Sequence, residues 1–496
     1  MKTALLLILS AASVAAEVVP DQANGWRYSL LEGSTLTDDC PVCGRPAIIL
    51  PMRGTFTLRL ITDNGLFATY AMEDISFTAG SGPAWNYQVS GSGTLQIGGE
   101  VAVTQEGALH VAIDNGLVKT NAQLASARGP LERLWPMIRI TLRQTDGTLT
   151  QVYDLTLAAA PFREAWFSTT GGFTSATRPP SDNHVSDGDL LASLGHIVRR
   201  NADLTRRLGI MPVVPDLGLD AIDLRPGAEV VFSIGTSVFS ESLGPLQAGD
   251  CLSGHGHIVT TNQTLLSAFG IKPPLPDAGL DAVQFFDTAI PAANASADEV
   301  WFSVATDQFS ETLGRLLQAG DLLSNRGRIV RTNAGLLQRF QPLEPKMDHG
   351  LDALYVWPSG EIWFSTENGF TGAGSISYAG GDVLSDQGYV VFRNLELLNP
   401  FAPAEDRMEF GLDALWLVTD AVTSATMPKI TSIEINRGTG DLSLLWQGAG
   451  RAFQVEGTLD LASPWEPLSP ISPDLEFRDV SELFHQAKRF YRIRQW

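Results

Sequence analysis

The chain has 496 residues, more than one folding unit normally holds, and its length suggests about three domains. Asp and Glu together number 55 against 34 Lys and Arg, which gives a formal net charge of −21. This balance argues against a protein that binds nucleic acid or an anionic membrane surface through positive charge. It suits a soluble exported protein, or one that meets cations.

The first 16 residues have the pattern of a secretory signal peptide. Lys2 supplies a short basic start, residues 4–9 are apolar, and Val14, Ala15 and Ala16 form a small-residue cleavage site. A buried N-terminal helix is the alternative. The apolar run is too short to cross a bilayer, and no later stretch is long enough either. We therefore expect a protein that is secreted, periplasmic or held at the cell surface, with no membrane span.

Residues 17–160 are predicted to form a β domain. Residues 55–60 and 137–142 alternate apolar and polar side chains with a period of two, and turn sequences such as D-N-G at 63–65 separate the runs. Short strands joined by tight turns are typical of an antiparallel sandwich or barrel.

Cys40 and Cys43 lie close together in a C-P-V-C stretch of this domain. A zinc site would need two more ligands, and the sequence has no second cysteine pair. Turn residues flank the pair, whereas a thioredoxin-like motif lies between a strand and a helix. We expect a local disulfide; reduced structural thiols and a metal or redox site are the alternatives.

Residues 161–420 contain four tandem repeats. Each begins with E-x-[WV]-F-S and continues through a Gly-Asp pair, an Asn and a G-L-D-A stretch. The Gly-Asp aspartate precedes the Asn by 12 residues in every copy, and the Asn precedes the last Asp by 19. Constant spacing indicates packed structure. The four repeats start at Glu164, Glu229, Glu299 and Glu361.

Each repeat is predicted to contain about four strands and a short helical turn after the Asn, which is the content of a propeller blade. The G-L-D-A strand, followed by a turn and an aromatic strand in four copies, resembles the hemopexin-like four-bladed propeller. The last such strand, around Asp413, is expected to complete the sheet of the first repeat and close the ring. An open solenoid of four stacked units is the alternative.

Residues 420–428 are predicted to be a polar linker, and 429–496 a small β-sandwich. The tail has I-T-S-I at 430–433, L-S-L-L-W at 442–446 and R-F-Y-R-I-R-Q at 489–495. This pattern resembles the fibronectin-III-like tail modules of secreted bacterial repeat proteins, and the whole chain is similar to such proteins. The resemblance implies a spacer or attachment module. The predicted class is therefore all-β throughout.

The first candidates for a binding site are the aspartates of the four G-L-D-A stretches, Asp220, Asp281, Asp352 and Asp413. In a closed ring they would approach the axis, where carboxylates suit a hard cation such as Ca²⁺. Alternatively, each caps a backbone group or pairs with a neighbouring Arg. The Gly-Asp aspartates and the repeat Asn are expected to satisfy backbone groups. The strand tryptophans Trp166, Trp301 and Trp363 are expected in the core rather than on a sugar-binding surface.

The sequence has no catalytic fingerprint: G-x-S-x-G, H-E-x-x-H and P-loop patterns are missing. Residues repeated four times suit a scaffold better than one active site. We therefore expect a secreted, non-catalytic binding or structural protein, monomeric, with a protein or carbohydrate ligand and no nucleic acid. A secreted hydrolase that acts on polysaccharide is the alternative, because carboxylates are plentiful.

Overall fold

A computed structural model describes residues 25–80, 86–148, 150–214, 216–272, 277–287, 295–296, 298–407, 409–422, 426–435, 441–479 and 489–496. The predicted signal peptide lies outside these residues. The chain is all-β, as the sequence predicts. Within the described residues, no helix is long and apolar enough to span a bilayer.

The first ten strands form one antiparallel sheet that closes on itself. The pairing order is β2-β3-β4-β5-β6-β7-β9-β10, and β10 pairs again with β2, so the sheet is a barrel. β1 joins β10 and β3, and β8 pairs with β6. The strands are β1 (Trp26–Leu30), β2 (Thr35–Asp39), β3 (Ile48–Asp63), β4 (Phe67–Ala79), β5 (Tyr87–Gly98), β6 (Thr104–Asp114), β7 (Lys119–Ala125), β8 (Gly129–Pro130), β9 (Ile138–Gln144) and β10 (Val152–Ala160).

Alternation of side chains fills the barrel interior. β6 buries Leu109, Val111 and Ile113 and exposes residues between them, which is the period of two that the sequence shows elsewhere in the domain. Gly54 in β3 has a φ of +140°, and a Cβ there would lie 2.1 Å from the Ser76 carbonyl oxygen. Only glycine allows the two strands to approach so closely at this bend.

The repeats form four four-stranded antiparallel sheets and four two-stranded hairpins. The sheet orders are β34-β11-β14-β15, β16-β17-β20-β21, β22-β23-β26-β27 and β28-β29-β32-β33; the hairpins are β12-β13, β18-β19, β24-β25 and β30-β31. The strands of the first two repeats are β11 (Phe162–Ser168), β12 (Phe173–Thr174), β13 (His184–Val185), β14 (Leu190–Ala192), β15 (Ile197–Arg199), β16 (Ile222–Arg225), β17 (Glu229–Phe232), β18 (Val238–Ser240), β19 (Gly244–Leu246), β20 (Cys251–Ser253) and β21 (His257–Thr260).

The last two repeats follow the same plan. Their strands are β22 (Val283–Phe285), β23 (Val300–Phe302), β24 (Gln308–Ser310), β25 (Arg315–Leu317), β26 (Leu322–Ser324), β27 (Arg328–Arg331), β28 (Ala353–Val356), β29 (Ile362–Ser365), β30 (Phe370–Thr371), β31 (Ser377–Tyr378), β32 (Val383–Ser385), β33 (Tyr389–Phe392) and β34 (Ala414–Thr419). The helical turn expected after each repeat Asn is α1 (Asn201–Thr205), α2 (Asn262–Leu266), α3 (Asn333–Leu337) or α4 (Asn394–Leu398).

The four sheets close into a ring. The last strand, β34, pairs antiparallel with β11 of the first repeat, with Leu417 opposite Ala165 and Leu415 opposite Phe167. The first strands of the four sheets also contact one another in a closed order, β16 with β22, β22 with β28, β28 with β34 and β34 with β16. An open stack of units would leave its two end sheets apart, so the repeats do not form a solenoid.

The C-terminal residues form two three-stranded sheets, β35-β36-β39 and β38-β37-β40. They share a small core around Leu444, Trp446 and Phe453. The strands are β35 (Lys429–Ile435), β36 (Leu442–Gln447), β37 (Phe453–Thr458), β38 (Glu466–Pro467), β39 (Glu476–Asp479) and β40 (Phe490–Gln495).

The buried carboxylate of Asp420 joins the three parts of the chain. It accepts hydrogen bonds from the Arg27 backbone N–H of the barrel at 2.9 Å, from Arg163 Nε of the ring at 2.9 Å, and from Trp496 Nε1 at 2.8 Å. Arg494 lies 3.3 Å away. These cations hold the pKa of Asp420 below its usual value despite burial. The segment predicted as a polar linker therefore starts with a buried residue that holds the modules together.

Candidate functional site

An acidic rim lies at one end of the ring, where each G-L-D-A stretch leads into the first strand of a sheet. We define the rim as Asp220, Asp281, Asp352, Asp413 and Glu367. The sequence predicts that the four aspartates approach one another in a closed ring. They lie close enough that the charges of other rim carboxylates repel the ionised forms of Asp220, Asp281 and Asp352.

Burial is the main cause of the raised pKa values of the rim aspartates, and repulsion from nearby carboxylates raises those of Asp220, Asp281 and Asp352 further. The pKa rises to about 7 for Asp220, about 8 for Asp281 and about 9 for Asp352. It rises only to about 6 for Asp413, because the Thr170 hydroxyl donates a hydrogen bond to its Oδ1 at 2.8 Å. Several rim carboxyls are therefore protonated near neutral pH unless a cation compensates their charge.

The glycine of each G-L-D-A stretch packs against the residue two positions after a motif serine, which is Gly235, Ala305, Glu367 or Thr170. Gly350 has a φ of +74°, and a Cβ there would lie 2.6 Å from the Cβ of Glu367. At the equivalent place in the closing repeat, a Cβ on Gly411 would lie 1.7 Å from the Thr170 hydroxyl oxygen. The motif glycine is therefore required both by its backbone conformation and by close packing.

The predicted calcium site is not formed directly by these side chains as they lie. In the described part of the chain, no three His, Cys, Asp or Glu side chains are close enough together to hold a metal ion. The aspartates thus repel one another at longer range. Binding of Ca²⁺ at the rim stays a prediction, and it would require water ligands or movement of the carboxylates inward.

The Gly-Asp aspartate and the repeat Asn form a structural clamp in all four repeats. In the third repeat, Asp321 Oδ1 accepts the Asn333 backbone N–H at 3.2 Å, and the Asn333 side chain donates to the Gly350 carbonyl at 3.1 Å. The same amide accepts the His349 backbone N–H at 3.2 Å. The other three repeats repeat these bonds through Asn201, Asn262 and Asn394. These residues hold the loop that carries each rim aspartate.

The serine that ends E-x-[WV]-F-S links each four-stranded sheet to the next sheet of the ring. Ser168 donates to the Leu219 carbonyl at 2.7 Å, and Ser365 donates to the Leu412 carbonyl at 2.9 Å, which closes the ring. Ser233 and Ser303 make the same bond at 2.8 Å. The repeated serine is therefore used for structure, not for nucleophilic chemistry.

The first residue of the motif behaves differently in one repeat. Glu299 and Glu361 accept hydrogen bonds from the tryptophan indole two residues on, at 3.0 and 2.8 Å, and from a serine of the neighbouring strand. Glu164 is only 1% exposed, yet neither carboxyl oxygen has a hydrogen-bond partner among the described residues. Burial raises the pKa of Glu164 to about 7. The sequence carries the signal: Ala192 stands where the other repeats have serine.

The His196 imidazole lies near this carboxyl. Its Nε2 lies 4.0 Å from Glu164, and burial lowers its pKa. The sequence pattern marks Glu164 only as the start of the first repeat and does not mark His196, because the repeat motif does not show which glutamate is buried without a donor.

The opposite end of the ring is covered by the C-terminal sheets. Arg451 Nε donates to the Leu224 carbonyl at 2.9 Å and its guanidinium pairs with Asp287 at 2.7 Å. The Gly450 carbonyl accepts the Gly227 backbone N–H at 2.9 Å. Trp496 is 2% exposed and lies beside Trp416 in the ring core. The acidic rim is thus at the end of the ring that these contacts do not cover.

The cysteines and strand tryptophans that the sequence analysis considered as candidates have structural roles. Cys40 and Cys43 form a disulfide, and Cys251 is a free, buried thiol whose pKa is raised by burial. The strand tryptophans Trp166, Trp301 and Trp363 are buried. They belong to the core and offer no exposed face for a sugar ring.

Comparisons with protein-family models, with curated protein sequences and with solved structures found no match for this chain.

Proposed function

We propose that the chain is a secreted, non-catalytic binding protein in which the four repeats form a propeller-like scaffold. The observation that carries the proposal is the use of the repeated polar residues. The Gly-Asp aspartate, the Asn and the motif serine make the same structural hydrogen bonds in all four repeats. A repeat built in this way supports loops and surfaces, and its motif serine is bound to a backbone carbonyl in every copy.

The acidic rim is the part of the scaffold suited to a cationic ligand. Its four aspartates are half-buried, and after burial the nearby carboxylates raise the pKa of Asp220, Asp281 and Asp352 further, so a cation would offset both the cost of burying charge and the repulsion. The net charge of −21 adds a long-range attraction for cations. Ca²⁺ is the hard cation that carboxylates favour, with dissociation constants of about 10⁻⁴–10⁻³ M in extracellular modules.

Melting experiments test the rim. If it takes up Ca²⁺, millimolar calcium raises the melting temperature and a chelator lowers it, because a ligand that binds only the folded state stabilises it. The double variant Asp352→Asn/Asp413→Asn keeps its fold and loses this response. A wild-type protein that melts at the same temperature with calcium and with chelator would remove the calcium assignment.

Incubation with a panel of insoluble polysaccharides tests the absence of catalysis. We expect no release of reducing ends above a blank, whether or not the protein is retained on a polysaccharide. Release of reducing ends would replace the binding function with the alternative, a polysaccharide hydrolase.

A further inference from the structure

The strand β35 leaves one edge of the C-terminal sheets open. It forms one side of its sheet and pairs only with β36 among the described strands. At seven residues it is the longest edge strand of the two C-terminal sheets. The N–H and C=O groups along the free side of such a strand can bond to a strand from another chain.

The core-facing side chains of β35 are apolar, yet they are in contact with water. Ile433 pairs with Leu444 and Ile435 with Leu442, and both leucines are buried. Residues opposite each other in a strand pair share a face of the sheet, so both isoleucines lie on the core face. They are nevertheless 60% and 59% exposed. The C-terminal core therefore does not extend as far as β35, and a neighbouring strand would shield part of this apolar surface.

The other edge strands of the C-terminal sheets carry features that discourage pairing. β38 has two residues, one of which is Pro467 and has no N–H to donate. β39 has four residues, and its Glu476 and Arg478 are exposed charges. The last residue of β40, Gln495, donates a hydrogen bond to the Thr426 carbonyl, so the segment before β35 lies against that end of β40. β35 has neither proline nor such a cover.

The sequence of β35 is complementary to itself. Two copies can run antiparallel so that Ile430 of each lies opposite Ile433 of the other. In the same register, Lys429 of each copy lies opposite Glu434 of the other. Two-fold symmetry makes each of these contacts occur twice. Apolar pairs and pairs of opposite charge that face each other directly both stabilise paired strands.

The faces of the sheet agree with this register. Ile430 pairs with the buried Trp446 and therefore faces the core, as Ile433 does. Lys429 and Glu434 lie on the outer face, because their partners in β36 alternate with the buried ones. The bulge in β35 follows Ile430 in both copies, so the two bulges face each other and the pairing stays one to one. A shift by one residue would set an isoleucine against Lys429 or Glu434.

The two charged residues are available for these pairs. Lys429 and Glu434 are exposed, and neither forms an ion pair within the described residues. Glu434 accepts a long hydrogen bond from the Ser432 hydroxyl, at 3.4 Å. By contrast, Arg478 of β39 and Arg492 of β40 are each paired with a carboxylate of their own module.

We propose that two copies of the chain associate through antiparallel pairing of their β35 strands, which joins two three-stranded sheets into one continuous sheet. A monomer is the expectation from the sequence alone, and paired β35 strands replace it with a dimer. The acidic rim takes no part in this contact, so the inference goes beyond the proposed function and does not rest on it. A single strand pair is a small contact beside a standard interface of about 1,600 Å², so we expect a dissociation constant in the micromolar range.

Sedimentation equilibrium of the full chain between about 1 and 100 μM, with a chelator present, tests the proposal. The wild type should pass from monomer to dimer over this range. Glu434→Lys sets lysine against lysine at both ends of the strand pair and should weaken the dimer about tenfold. The double variant Lys429→Glu/Glu434→Lys exchanges the charges and should restore the wild-type dissociation constant.

Two further variants complete the test. Glu466→Lys makes the same charge change on the exposed β38 edge of the same module, so it is the matched control and should leave the dimer unchanged. Ile433→Lys removes the apolar pair and should weaken the dimer more than about tenfold. Both Glu434 and Ile433 are exposed, so melting temperatures equal to that of the wild type should show that their variants are folded.

Three outcomes would overturn the pairing of β35 strands. A wild type that stays monomeric at every concentration leaves the edge to a strand of a different protein, and the proposed binding function stands. A dimer that survives both Glu434→Lys and Ile433→Lys unchanged uses another surface. A double variant as weak as Glu434→Lys contradicts the register in which Lys429 faces Glu434.

Discussion

Glu164 combines deep burial with the loss of a hydrogen-bond donor that its repeat equivalents possess. Its carboxyl has an ordinary pKa of 4.5 and a folded pKa of about 7. Between these values the folded protein holds a proton that the unfolded chain has lost, so stability falls as the pH rises through this window. From the size of the shift, this group removes ~3 kcal/mol of stability by pH 8.

We therefore expect Glu164→Gln to be more stable than the wild type at pH 8 and about equal to it at pH 4.5. Urea unfolding at both pH values measures the difference. Glu299→Gln is the matched control, because Glu299 has Trp301, Ser324 and Arg328 as partners and its pKa is lowered. That variant should lose stability at neutral pH. An equal response of the two variants would contradict the argument.

Asp352 has the most strongly raised pKa of the rim aspartates, about 9. Its charge is disfavoured by burial first and by Asp413, Asp281, Glu367 and Asp220 next. Stability is therefore lost as the pH rises from the ordinary carboxyl range towards 9. Without added calcium, Asp352→Asn should melt several degrees above the wild type at pH 9 and at the same temperature at pH 4.

The control for Asp352 lies in the same repeat. Asp321→Ala removes the acceptor of the Asn333 and Gln318 backbone N–H groups and should cost about 1–3 kcal/mol at neutral pH, because buried donors are left unpaired. Destabilisation by Asp352→Asn at pH 9 would mean that the rim carboxylate has a structural partner that outweighs the repulsion.

At the scale of elements, β34 is the strand on which ring closure depends. It pairs with β11 over most of its length, and its loop receives the Ser365 hydrogen bond. A chain that ends at residue 427 keeps β34 and loses the C-terminal sheets, whereas one that ends at residue 407 loses both. Hydrogen exchange at residues 165–167 should be slow in the longer chain and fast in the shorter one, because the shorter one has an unpaired strand edge. Equal protection in the two chains would show that β11 does not depend on β34.

At the scale of the whole molecule, Asp420 joins barrel, ring and C-terminal sheets. Asp420→Ala leaves the largely buried guanidinium of Arg163, whose side chain is 15% exposed, without its carboxylate and should cost about 3 kcal/mol. We expect the calorimetric unfolding transition to move to lower temperature and to split, since the modules are no longer held together. Glu73→Ala breaks an exposed ion pair with Arg59 inside the barrel and should change stability by less than about 1 kcal/mol. A single, unshifted transition for Asp420→Ala would contradict this role.

The sequence by itself determined the all-β class, the four repeats and the place of their helical turns. These features depend on local patterns: side chains alternate with a period of two, and the spacing from Asp189 to Asn201 recurs in each copy. The aspartate and Asn of each repeat bond to backbone groups nearby in the chain, so their structural use could be inferred from neighbouring residues. The approach of the rim aspartates followed once a closed ring was assumed.

Only the tertiary structure decided which of these equivalent residues differ. Glu164 and Glu299 occupy the same motif position, but the strand packed beside Glu164 offers Ala192 instead of a hydroxyl, so one carboxyl is satisfied and the other is not. The sequence places Asp420 in a polar linker, whereas in the structure its carboxylate is buried and accepts hydrogen bonds from Arg163 and Trp496. Desolvation and long-range pairing depend on residues far apart in the chain, and local sequence patterns do not record which of these will meet.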